Sequence, residues 1–121
     1  MELKLKLLCA AEIAEAVGGR LMTYFDASDR DEQNAISTSS ADCGRGVIFC
    51  AIKGARADGH DYIADAIKLG STCFICERVP ESAVDVGRPF CAIVVEDTIK
   101  AIGALASYYR GFSTAKFVGI T

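Results

Sequence analysis

Three groups of residues in this 121-residue chain combine types and spacings that could do chemistry. Cys73-Phe74-Ile75-Cys76 is a C-x-x-C, the spacing of a redox dithiol or of half a zinc site. A structural zinc site needs four ligands, no second C-x-x-C exists, and His60 is the only histidine. The segment also reads as a strand, in which residues i and i+3 point to opposite faces, so the thiols diverge and core packing is the stronger reading. His60 follows Asp58 and Gly59 and precedes Asp61 at the mouth of a helix. A catalytic base there would need a nucleophile and an orienting carboxylate. The plainer role, favoured here, is a helix-entry residue that satisfies backbone groups. The third group is Ser37, Thr38, Ser39 and Ser40. It is either a turn that caps its own backbone or a hydroxyl cluster at a strand end, where α/β sheets place ligands. Lys53, Gly54 and Arg56 fall at the end of the neighbouring strand, and the two strand ends together would make an anion or nucleotide cradle. No complete catalytic constellation occurs, and no metal site is expected.

The elements that must position these groups alternate along the chain. Leu3, Leu5 and Leu7 alternate with Lys4 and Lys6, a short strand with one wet face. "CAAEIAEAVGG" predicts a helix, with Cys9 in the N-cap slot and Glu12 in the N3 slot of a capping box that lacks its usual serine or threonine. Ile13, Ala16 and Val17 share its face, and Gly18-Gly19 ends it. "RLMTYF" predicts a strand and "DASDRDEQN" a solvated acidic connector. "AISTSS" is a short strand running into hydroxyls, and "VIFCAI" is a strand covered on both faces. "HDYIADAIKLG" predicts a helix with Tyr62, Ile63, Ala66 and Ile67 inward and Gly70 at its end. "STCFICE" is a strand, "RVPESAVDVGRP" a long turn and "FCAIVV" another buried strand. Asp97 N-caps "TIKAIGALASYYR", where Ile99, Ile102, Leu105, Ala106 and Tyr109 recur at helical spacing. "AKFVGIT" closes the chain as a buried strand. The result is an α/β fold, a mixed sheet of about five strands with helices packed on it. The apolar runs 47–52, 90–95 and 116–121 are expected at its centre.

This length suits one domain with a real core. The net charge of −3 argues against a general polyanion binder, so no nucleic acid is expected, although a local nucleotide pocket remains open. The six cysteines mostly sit inside apolar runs, where thiols behave as small hydrophobes. The apolar stretch in "MELKLKLLCAAE" is far shorter than the roughly 7–15 residues of an export signal. No run approaches a membrane helix, so no membrane partner is expected and the chain reads as cytoplasmic, with reduced thiols.

The runs "AAEIAEAVGGRL", "ISTSSADCGRGVIFCAIKGARADGHDYIADAIKLGS", "VVEDTIKAIGALASYYRGF" and "FVGIT" come in an order and spacing that resembles the N-terminal domain of the Mur ligases. Within that family the resemblance is to the MurF type, the UDP-N-acetylmuramoyl-tripeptide–D-alanyl-D-alanine ligases. It covers nearly the whole chain. Its most specific pieces are G-x-x-F-x-A-x-x-G-x-x-x-D-G-H from Gly46 to His60 and D-T-x-x-A-x-x-x-L-A-x-x-Y-R from Asp97 to Arg110. The family's strand ending in I-T runs into a glycine-rich ATP loop, which would put Thr121 at that loop's edge. The resemblance therefore implies a substrate-binding domain over 1–115 and, over 116–121, the first strand of a central ATP-binding domain.

It further implies an ADP-forming amide ligase of peptidoglycan synthesis. ATP and Mg²⁺ would activate a peptide carboxylate and D-Ala-D-Ala would attack it, in central and C-terminal domains beyond this stretch, so no catalytic residue is expected here. This domain would grip the UDP end of a UDP-N-acetylmuramoyl-peptide through Thr38, Ser39, Ser40, Lys53, Gly54, Ala55, Arg56 and Ala57. Asp58, Gly59 and His60 would shape the loop. Two departures stand out: the family's D-S-R is Ser39-Ser40-Ala41 here, and its P-G-D is Arg45-Gly46-Val47. A guanidinium lost from a charged contact costs about 1.5–3 kcal/mol, and Arg45 and Arg56 are the cations that would compensate. "EIAEAVGG" and "YYRGF" favour the MurF type. The alternatives are a MurE-type domain, whose ligase adds a diamino acid, and a non-catalytic module that kept the fold and lost the nucleotide site.

Overall fold

Alternation within the apolar runs decides the architecture, because successive strand residues face opposite sides. In the computed structural model, which describes residues 8–28, 32–33, 35–54 and 58–108, three runs form β5 (Val47–Cys50), β6 (Cys73–Cys76) and β7 (Phe90–Val94). Ile48, Cys50, Cys73, Ile75, Cys91 and Ile93 pack on one face. Phe49, Phe74, Cys76, Phe90 and Ala92 pack on the other. Both faces need covers. Helices α1 (Ala10–Val17) and α4 (Thr98–Tyr108) cover the first through Ile13, Ala14, Ile102 and Leu105. Helices α2 (Ile63–Lys68) and α3 (Glu81–Asp85) cover the second through Ile63, Ala66, Ile67 and Ala83.

The five-stranded sheet runs β2-β7-β6-β5-β4, with β2 at Arg20–Tyr24 and β4 at Ala35–Ser37. Strands β4 to β7 are parallel, and β2 joins β7 antiparallel, so the sheet is mixed, as the sequence predicted. Strands β1 (Leu8–Cys9) and β3 (Glu32–Gln33) make a separate antiparallel pair. In register, Phe49 pairs with Phe74 and Phe74 with Ala92, one apolar layer across three strands. Phe90 ties in the edge: its ring lies 5.1 Å from Phe74 and stacks at 4.6 Å on Tyr24.

Several sequence expectations need correction. The middle of the sheet is β6, flanked by β5 and β7; the third run expected there, 116–121, lies outside the described residues, as do Leu3–Leu7. Periodicity marks strands as buried on two faces but carries no information on their lateral order, which the crossovers set. The segment read as a long turn contains α3, a helix of five residues that no periodic pattern could separate from a turn. Tyr62, expected inward, is 43% exposed because it precedes α2 in a short 3₁₀ turn, where the helical face has not yet begun. Strand β4 stops at Ser37 rather than running to Ser40, and β2 stops at Tyr24, since Phe25 and Asp26 turn at positive φ.

The caps follow the sequence more closely. The Cys9 N–H donates to Glu12 Oε1 at 3.1 Å, and Gly18 closes α1 in the left-handed region. Asp97 Oδ1 accepts from the Ile99 and Lys100 amides at 3.0 and 3.2 Å, capping α4.

Candidate functional site

Because β4 to β7 are parallel, the segments that follow them gather along one edge of the sheet, where α/β folds place ligands. Thr38, Ser39 and Ser40 follow β4 and line a cavity of about 280 Å³ together with Phe49 and Tyr62. Buried Ser37 sets this turn: its Oγ accepts from the Ser39 N–H at 3.0 Å and donates to the Ser39 carbonyl at 3.1 Å. The Cys43 thiol also donates to the Ser39 carbonyl, at 3.4 Å. The serine-threonine run thus contains the backbone-capping turn that was one of its two readings. Ser37 holds the backbone, and the next three residues face a cavity. Tyr62, an exposed aromatic ring at that cavity, is a lining residue that the sequence reading missed; its place before the helix is the signal that could have found it.

Lys53 and Gly54 leave the end of β5 and are exposed; they are not among the lining residues of that cavity. Ala55, Arg56 and Ala57 lie outside the described residues. The loop is pinned where it returns. Lys53 and Asp58 form an antiparallel bridge, and the Gly59 N–H donates to the Ile52 carbonyl at 2.8 Å. A β-carbon on Gly59 would stand 2.7 Å from Ile52 N and 2.9 Å from Ile52 O, so only glycine permits this approach.

Asp58 and His60 extend the pin to the next strand. Asp58 Oδ1 accepts from the His60 N–H at 3.0 Å and from His60 Nδ1 at 2.6 Å. The buried ring turns its Nε2 to the Glu77 N–H at 2.9 Å, just beyond β6. Since Nε2 accepts, the ring proton sits on Nδ1, and both nitrogens are engaged. The backbone and side-chain hydrogen bonds from His60 hold the Asp58 carboxyl down at about 2, with a smaller contribution from the Arg78 guanidinium 3.4 Å from Oδ2. Glu77 continues the chain, its Oε2 accepting from the Thr98 N–H at 3.2 Å where α4 begins. The loop, the end of β6 and the start of α4 are therefore one connected unit.

Arg45 is elsewhere. It lines a cavity with Gly70, Ser71 and Arg88 at the opposite edge, where the parallel strands begin, and not the cavity of Thr38 to Ser40. It is not positioned to replace the missing guanidinium. Cys73 packs on the α1/α4 side and Cys76 on the α2/α3 side, as strand geometry predicted, so β6 cannot close them into a disulfide. Burial raises the Cys73 thiol well above its ordinary range and pushes Cys76 up to about 12, which leaves both protonated and inert. Among the described residues no helix is long and apolar enough to cross a membrane.

Residues 32–110 match the family profile described as "Mur ligase family, catalytic domain". The chain belongs to the Mur ligase family. It is 39% identical over 92 residues to the UDP-N-acetylmuramoyl-L-alanyl-D-glutamate–2,6-diaminopimelate ligase of Cytophaga hutchinsonii, a match covering 72% of this chain and 18% of that one. It is 38% identical over 88 residues to the UDP-N-acetylmuramoyl-tripeptide–D-alanyl-D-alanine ligase of Rickettsia prowazekii, covering 73% and 18%. Among solved structures, MurF from Acinetobacter baumannii superposes with a TM-score of 0.71 at 29% identity, over 86% of this chain and 21% of that one. The chain thus spans about a fifth of the length of the relatives it matches.

Proposed function

We propose that this chain is the substrate-docking domain of a MurF-type ligase and holds the UDP end of a UDP-N-acetylmuramoyl-tripeptide while D-Ala-D-Ala is added. The observation that carries the reading is the cavity lined by Thr38, Ser39 and Ser40 at the carboxyl ends of parallel strands. The resemblance to the family carries its uridine contacts onto Thr38 and Ser40 of this group. About 280 Å³ is small for a nucleotide sugar, so the cavity takes the uridine and the diphosphate extends toward Lys53 and Gly54. Thr38 and Ser40 supply hydroxyls to uridine oxygens, Tyr62 supplies an aromatic wall, and Lys53 faces the diphosphate. Asp58, Gly59 and His60 hold the loop's returning end. Docking the remote end of the substrate raises the effective concentration of the reacting carboxylate.

Catalysis, with ATP and Mg²⁺, would belong to parts of the whole protein outside the described residues, and the resemblance would put Thr121 at the edge of the ATP loop. A second reading has support of its own. Several similar curated relatives bear the diaminopimelate-adding name, which favours a MurE-type protein. An NMR titration with UDP, UDP-N-acetylmuramoyl-dipeptide and the tripeptide tests docking. Shifts concentrated at Thr38–Ser40 and Lys53–Gly54 are expected, and silence at millimolar ligand overturns the proposal. In the full-length protein, ligation of D-Ala-D-Ala to the tripeptide separates the MurF reading from ligation of a diamino acid to the dipeptide.

A further inference from the structure

A cavity of about 590 Å³ lies away from the strand ends that hold Thr38 to Ser40. It opens at the opposite edge, where β4 to β7 begin, and its lining includes Gln33, Arg45, Gly70, Ser71, Thr72 and Arg88. Its volume falls within the range that holds small organic ligands. In a chain of net charge −3, two arginines and no carboxylate line it among the described residues.

The cavity is built rather than incidental. Gln33 is buried, and its Nε2 donates to Thr72 Oγ1 at 3.4 Å, joining β3 to the entrance of β6. Buried Ser71 donates to the Val47 carbonyl at 2.8 Å, joining the entrances of β5 and β6. Arg88 Nη1 donates to the Ile67 and Lys68 carbonyls at 3.4 and 3.2 Å, at the carboxyl end of α2. These bonds occupy one terminal nitrogen and fix the guanidinium, leaving Nη2 and Nε for a ligand at reduced ordering cost. Arg45 has no ion-pair or hydrogen-bond partner among the described residues. Gly70, at φ +109, keeps the wall beside the Gly44–Arg45 backbone free of a side chain.

Two arginines lining one concave polar site, one anchored and one without a partner among the described residues, are suited to paired oxyanions. We propose that this cavity binds a small molecule carrying two negative charges as phosphate or carboxylate oxygens, independently of the nucleotide edge. Arg88 provides the fixed contact and Arg45 closes from the rim.

The test is an amide NMR titration of the chain with pyrophosphate and, separately, citrate, with UDP as a reference for the other edge. Saturable shifts at Gly44–Val47, Gly70–Thr72 and Arg88 are expected from at least one of them. Pyrophosphate alone assigns a phosphate ligand, and citrate alone a carboxylate. Arg45→Ala, whose wild-type side chain bonds to no other described residue, should weaken binding about tenfold. Arg88→Lys keeps the charge but loses the fork and should weaken it to a similar degree. Two results overturn the proposal: no shift at these amides by about tenfold millimolar excess, or wild-type affinity in Arg45→Ala.

Discussion

Strands β4 to β7 end at one edge of the sheet and begin at the other, and the two edges are finished differently. At the carboxyl edge, polar side chains are spent on backbone: Ser37 on Ser39, Asp58 on His60, His60 on Glu77, and Glu77 on Thr98. That edge is a set of tied loops with a small hydroxyl-lined cavity. At the amino edge one guanidinium is tied to helix α2 and another is unengaged, beside a cavity twice the size. Restraint of loops and availability of charge are therefore divided between the edges. Substitutions of the tied groups at the first, Asp58, Gly59 and His60, should cost stability, and substitutions of the arginines at the second should cost anion binding.

The largest effect is expected at Gly59. Alanine there forces apart the Ile52 and Gly59 backbones and should destabilise the chain by about 3 kcal/mol, read as a lower urea midpoint. An unchanged midpoint would mean that the loop relaxes freely and the edge is not tied. His60→Ala comes next. It leaves the Glu77 N–H without its acceptor and should cost about 1–3 kcal/mol, with amide exchange quickening at Glu77 more than in β7.

The Asp58 carboxylate sharpens the contrast through pH. Its carboxyl is held at about 2 in the folded chain against an ordinary value of 3.8. Its contribution is therefore complete above about pH 4 and is lost as pH falls toward 2. Denaturation midpoints should drop across that window, and Asp58→Asn should flatten the slope. The smallest effect belongs to the other edge. Arg45→Ala should leave stability within about 0.5 kcal/mol, since an exposed side chain with no partner among the described residues contributes little. A larger loss would show that the amino edge, too, depends on its charges for folding.

Much of this was legible in the sequence, for identifiable reasons. Unbroken apolar runs such as Val47–Cys50 announce strands covered on both faces, and the i, i+3 rule alone separated Cys73 from Cys76. The Asp97 cap and the Gly18 stop are local signals, complete within a few residues. The hydroxyl cluster after β4 was visible as a strand pattern running into serine and threonine, but a turn capping its own backbone reads the same way, and Ser37 does that.

What the sequence could not contain is lateral order and convergence. That β6 lies at the middle of the sheet, that Tyr62 lines the Thr38–Ser40 cavity, and that Arg45 shares a cavity with Arg88 instead of Ser40 all depend on which strands neighbour one another. Arg45 is five residues from Ser40 and 43 from Arg88, yet the crossing of the sheet between β4 and β5 carries it to the far edge. Local patterns are set by bonds within a turn of helix or a strand's length, so sequence alone determines them. Which distant side chains share a cavity is set by packing all the elements at once, and only the tertiary structure decides that.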